Sequence, residues 1–134
     1  MSASSLSTAG ILLIAIVAIE YGGVSLLRFI TARTPGYLDN PVRQNLFRAG
    51  HAHAGVLVIL ALVGMLYVDQ TGLSSTGKEL VRWGLTAAPI LMPLGFFLSI
   101  APPRAQRPNA LIGLVYLGAV VLAAAVVTLG INLL

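Results

Sequence analysis

The sequence predicts an all-α fold, an integral membrane bundle of four helices running up and down. Two observations carry the prediction. Hydrophobic residues make up 57% of the 134 residues and charged residues only 9%, where soluble domains average about 45–50% and about 25%. A soluble domain of this size could not bury so much apolar surface. The apolar residues also gather into four stretches of about 20, the length that crosses about 30 Å of hydrocarbon. As helices, these stretches satisfy their backbone polar groups internally, which lipid demands. A single transmembrane domain, 1–134, follows.

The first predicted span covers about 9–30 and contains Glu20 and Arg28. The run is too long for a cleaved secretory signal, and no basic residue precedes it. The second covers about 47–68 and carries His51 and His53. Asn40-Pro41 reads as an N-cap followed by proline at the first helical position, so this helix should begin about two turns before the membrane. The third covers about 80–100. Thr76 and Glu79 have the spacing of a capping box before it, and Pro102-Pro103 closes it. The fourth follows Pro108, covers about 109–132, and has no charged side chain. Thr34-Pro35-Gly36 and Gln70-Thr71-Gly72 read as turns. Tyr37, Tyr67 and Trp83 fall near the expected interfaces, which suit amphipathic rings.

Charge gives an orientation. Arg28, Arg33, Arg43 and Arg48 flank the first connection, and Arg104 and Arg107 lie in the third. Lys78 and Arg82 alone lie at the opposite side. The positive-inside rule then places the first and third connections in the cytoplasm and both termini outside. Anionic headgroups account for the net charge of +4. Arginines in two short loops do not make a nucleic-acid reading face, so no nucleic-acid partner is expected.

Few residues can do chemistry. Cysteine is absent, which excludes disulfide scaffolds and thiolate centres. Glu20 is a mid-membrane carboxylate, and such groups face protein or a water-filled cavity. It would serve as a proton carrier, a metal ligand or the partner of a substrate cation. Its structural role would be a hydrogen bond that locks helices together. Gly22 and Gly23 beside it allow a neighbour to come close.

Arg48-Ala49-Gly50-His51-Ala52-His53-Ala54-Gly55 holds both histidines of the chain. At 100° per residue His51 and His53 point about 160° apart. They cannot clamp one ion together, so each must use a different neighbour. Arg48 shares the face of His51. Met92 lies at about the depth of His53, about 12 Å from the same side. Glu20, Arg48, His51, His53 and Met92 form the candidate ligand-binding set, with His51 and His53 as metal ligands. A His, Met and carboxylate set suits copper; haem would need His–Met ligation, an open position or a second copy of the chain. In their structural role the histidines bond carbonyls or lipid phosphates.

Pro89 and Pro93 share a face and are expected to kink the third helix. Ala119 and Ala123 give the fourth helix small-residue spacing for close packing, so it reads as an interaction surface for another helix or subunit.

The Arg-x-Gly-His-x-His-x-Gly opening, with Tyr21-Gly22-Gly23 in the first helix, resembles small uncharacterised four-helix membrane proteins of bacteria. That resemblance implies the bacterial cytoplasmic (inner) membrane and no particular activity. Over about eight residues the motif is also similar to the histidine-bearing helices of haem–copper oxidases. The chain lacks the further histidines such oxidases need, so no catalytic role is carried to His51 or His53.

No nucleophile–base set or phosphate loop is present. The sequence therefore points to a non-catalytic accessory subunit that contacts the lipid bilayer and docks on other membrane subunits or on its own copies. One alternative is a redox or ligand-binding module for copper, haem or a quinone. Another is a small proton-coupled carrier that titrates Glu20.

Overall fold

The computed structural model describes residues 1–134 and contains four long helices and no strand. They are α1 (Ala3–Thr31), α2 (Pro41–Val68), α3 (Ser75–Ser99) and α4 (Gly113–Ile131), with a 3-10 turn at Ala110–Ile112 leading into α4. All four are long and apolar enough to cross a membrane.

The helix ends follow local chemistry. Asn40 caps α2 as the sequence predicts, its Oδ1 accepting from the Arg43 N–H at 3.1 Å, with Pro41 at the first helical position. The expected Thr76–Glu79 capping box does not form. Ser74 caps α3 instead, its Oγ accepting from the Gly77 N–H at 3.2 Å. The reason is electrostatic: Glu79 is drawn forward to Arg82, whose Nη1 donates to it at 2.6 Å. Helix α1 begins before the predicted span, because Ser2 supplies a cap to the Ser5 N–H. Pro89 and Pro93 both lie inside one continuous α3 and are buried.

Neighbouring helices run antiparallel, as residue pairs along each seam show. Gly22 of α1 meets His51 of α2, while Ser2 lies at the far end beside Asp69. Gly50 of α2 meets Phe96 and Phe97, and Gly64 meets Leu85. Gly84, Met92 and Gly95 of α3 meet Ala125, Gly118 and Val115 of α4. The bundle is open rather than closed. Helix α2 packs on α1 and α3, and α3 on α4, but no Cα of α1 comes within 8 Å of α4.

Burial follows this order. The core lies along α2 and α3, with Ala61, Met65, Val68, Val81 and Leu85 almost fully enclosed. The outer surfaces of α1 and α4 expose large apolar side chains, such as Ile14 at 75% and Val120 at 67%. Apolar surface of this extent is consistent with contact to lipid. Ala119 and Ala123, expected to support close packing, point away from α3 and are exposed. The α3–α4 seam uses Gly84, Gly95 and Gly118 instead.

The arginine end is held by aromatic packing. Phe29, Tyr37, Phe47 and Phe97 stack at centroid distances of 5.3–6.4 Å. Tyr37, expected at the interface, is fully buried there. The Arg43 guanidinium lies 4.8 Å above the Phe47 ring and donates to the carbonyls of Gly36 and Ala101. Asn40 Nδ2 donates to Ala105 O at 2.8 Å, tying the first connection to the third.

Candidate functional site

The small residues of the Arg48–Gly55 segment let two helices approach α2 closely, and each histidine enters a different seam. His51 lies in the α1–α2 seam, in a notch made by Gly22 and Gly23. A Cβ on Gly23 would fall 3.1 Å from its Nε2. His53 lies in the α2–α3 seam, its ring 4.9 Å from Phe96. Its Nδ1 is 2.7 Å from the Ala49 carbonyl oxygen. A carbonyl only accepts, so Nδ1 donates, and Nε2 makes no hydrogen bond within the chain. The opposed directions read from helical geometry are thus realised.

The other candidates do not converge on the histidines. Glu20 is exposed on the flank of α1, and no side chain of the chain hydrogen-bonds it. Arg48 is exposed and forms no ion pair. Met92 packs with Leu57 and Ala88 in the core, its Cγ turned toward Gly118 of α4. No three of the His, Asp and Glu side chains come together in a metal-binding group. The expectation of His51 and His53 as metal ligands therefore finds no support in the arrangement of carboxylates and imidazoles.

At the opposite end of the molecule stands a polar cluster that the sequence reading missed. Arg82 is 7% exposed. Its Nη2 donates to Asp69 Oδ1 at 2.9 Å, its Nη1 to Glu79 at 2.6 Å and its Nε to Ser5 Oγ at 3.0 Å. The Ser2 N–H donates to Asp69 Oδ2 at 2.6 Å, and Lys78 Nζ to the Asp69 carbonyl at 3.2 Å. Burial pushes the Asp69 carboxyl up. The hydrogen bonds from the Ser2 N–H, Ser5, Arg82 and the Ser2 hydroxyl outweigh it and hold the group well below the usual carboxylate range. One signal was available in the sequence. A carboxylate at the C-terminus of α2 opposes the helix dipole and calls for a cation, and Arg82 and Lys78 are the near ones.

The chain matches no family model, no curated protein and no solved structure. The site's chemistry therefore rests on its own geometry. The Asp69 cluster pairs Arg82 with both Asp69 and Glu79 and ties α1, α2 and α3 together, so its work is structural. The imidazoles are neighbours of helices rather than of each other. Among the charged candidate residues, Glu20 and Arg48 are left without a side-chain partner, and Glu20 is the one at mid-helix.

Proposed function

We propose that this chain is a multi-pass membrane protein that acts as a small, non-catalytic subunit, docking along α1 on another membrane helix. The observation that carries the reading is the exposure of Glu20. Its Cα lies about 16 Å along α1 from the arginine end, close to the middle of a core about 30 Å thick. A charged side chain there costs about 2.5–3.5 kcal/mol on insertion scales. No helix of this chain covers it. A partner helix that offers a donor would relieve the cost, and such interhelical bonds contribute about 0.6–2 kcal/mol. Helix α4 has no Asp, Glu, Lys, Arg or His, so it suits the lipid-facing edge. The arginine bias supports an orientation with both termini outside.

The absence of cysteine makes a direct test simple. A photo-crosslinker attached at Tyr21→Cys, beside Glu20, is expected to yield one discrete protein adduct in native membranes. The same probe at Val120→Cys on α4 should yield lipid adducts only. Lipid adducts alone from both positions would contradict docking through α1.

A further inference from the structure

Helix α1 has 29 residues and α2 has 28, about 42–44 Å of axis each at 1.5 Å per residue. A hydrocarbon core is about 30 Å thick, and the bilayer with its headgroups about 40–45 Å. The end of α1 and the start of α2 therefore stand in the headgroup layer, together with the connections at that end. Charge there is one-sided. Arg28, Arg33, Arg43, Arg48, Arg104 and Arg107 stand against a single carboxylate, Asp39, a net +5. At the opposite end Lys78 and Arg82 balance Asp69 and Glu79.

The first and third connections form one surface. Arg43 is spent on the carbonyls of Gly36 and Ala101, and Asn40 on those of Pro103 and Ala105. Gly36 lies so close to Pro103 that a Cβ on it would fall 2.6 Å from the proline Cβ. Tyr37, Asn40 and Ile100 are buried within it. Arg33, Arg104 and Arg107 stand exposed on this fastened base, with Arg28 and Arg48 on the adjoining helices. None of these exposed arginines has a partner in the chain. Arg43 and Arg82 are the arginines whose side chains donate, and both ion pairs belong to Arg82.

Arg33 adds an observation that charge bias does not require. Helix α1 closes with the Arg33 N–H on Ile30 O and the Thr34 N–H on Phe29 O. This ending puts Arg33 at φ 49°. Glycine takes that left-handed conformation freely, whereas a Cβ makes it costly. Orientation by the positive-inside rule needs only a count of arginines. It needs neither a fixed surface nor a guanidinium held on strained backbone.

A guanidinium grips a phosphate through two parallel hydrogen bonds, and in the headgroup layer the phosphates of anionic lipids are the anions at hand. We propose that the fastened connections are a docking surface for anionic phospholipid headgroups, with Arg33, Arg104 and Arg107 on the phosphates. This rests on the bilayer-spanning part of the function proposed above and not on docking through α1.

Unfolding of the full chain in zwitterionic detergent micelles, doped with phosphatidylcholine or phosphatidylglycerol, tests the proposal. Phosphatidylglycerol should raise the wild-type midpoint by about 4 °C or more over phosphatidylcholine. High salt should remove the gain. Arg33→Gly deletes the guanidinium and relieves the backbone. It should unfold no earlier than wild type in phosphatidylcholine, yet lose much of the gain. Arg104→Gln combined with Arg107→Gln should lose it too, each gain being read within one variant. Lys78→Gln, at the opposite end, should keep the whole gain. The proposal is overturned by a wild type with no gain, by a full gain in the arginine variants, or by an equal loss in Lys78→Gln. A gain matched by inorganic phosphate or by polyglutamate would overturn it in favour of a free anion or an acidic protein segment. A chain that ignores the lipid but still needs detergent leaves the bilayer-spanning reading standing; one that is soluble without detergent ends both.

Discussion

Asp69→Ala should destabilise the folded chain by about 1–3 kcal/mol, between the values for an exposed and a fully buried ion pair, because the pair is half-enclosed. The substitution leaves the Arg82 guanidinium enclosed with only Glu79 to balance it. It also frees the Ser2 N–H and so loosens the start of α1. The measurement is reversible unfolding in mixed micelles. The pH dependence carries a second signature. An unfolded Asp titrates near 3.9, and the folded carboxyl is held below that. Its stabilising contribution is therefore full above about pH 4 and is lost as the pH falls further, toward the folded value. Asp69→Asn should lack this acid-side loss. An identical acid limb in wild type and Asp69→Asn would show that the Arg82 cluster does not fasten α1.

Gly95→Ala should cost about 1–3 kcal/mol by overpacking. The new methyl would stand 2.8 Å from the Val115 backbone nitrogen and 2.7 Å from Val115 Cγ2. Backbone cannot rotate out of the way, so α4 must move off α3. Since α4 touches little else, the loss should appear as weakened protection of α4 in hydrogen exchange. Gly10→Ala is the control. Its added methyl meets nothing within 4 Å, so it should be neutral or slightly stabilising. Equal effects at the two positions would contradict close α3–α4 packing.

Much of the architecture was legible because lipid imposes one rule on every stretch. The four helices, the Asn40-Pro41 start and the divergence of His51 and His53 all follow from length, capping and helical phase. Partnership was not legible. Which face of α4 packs depends on where Gly84 and Gly95 bring α3 close, and Ala119 and Ala123 look equally suitable in sequence. The capping box failed because the local Thr76–Glu79 pairing competes with a stronger ion pair to Arg82. The Asp69 cluster joins residues up to 80 positions apart, which no local pattern reveals. Depth along the helices is all that places Glu20 and Met92 near the histidines in sequence. Depth fixes height in the bundle but not azimuth, and azimuth sends Glu20 to the outer flank and Met92 toward α4.

The central claim is that the chain crosses a bilayer four times with its arginine end inside. Thiol labelling of single-cysteine variants in intact cells, with a membrane-impermeant maleimide, tests it most directly. Gly72 and Gln106 lie exposed in connections at opposite ends, and Ile59 is exposed at mid-helix on α2. Gly72→Cys should label from outside, Gln106→Cys only after permeabilisation, and Ile59→Cys under neither condition. Labelling of Gly72→Cys and Gln106→Cys from the same side, or ready labelling of Ile59→Cys by the aqueous reagent, would contradict the account.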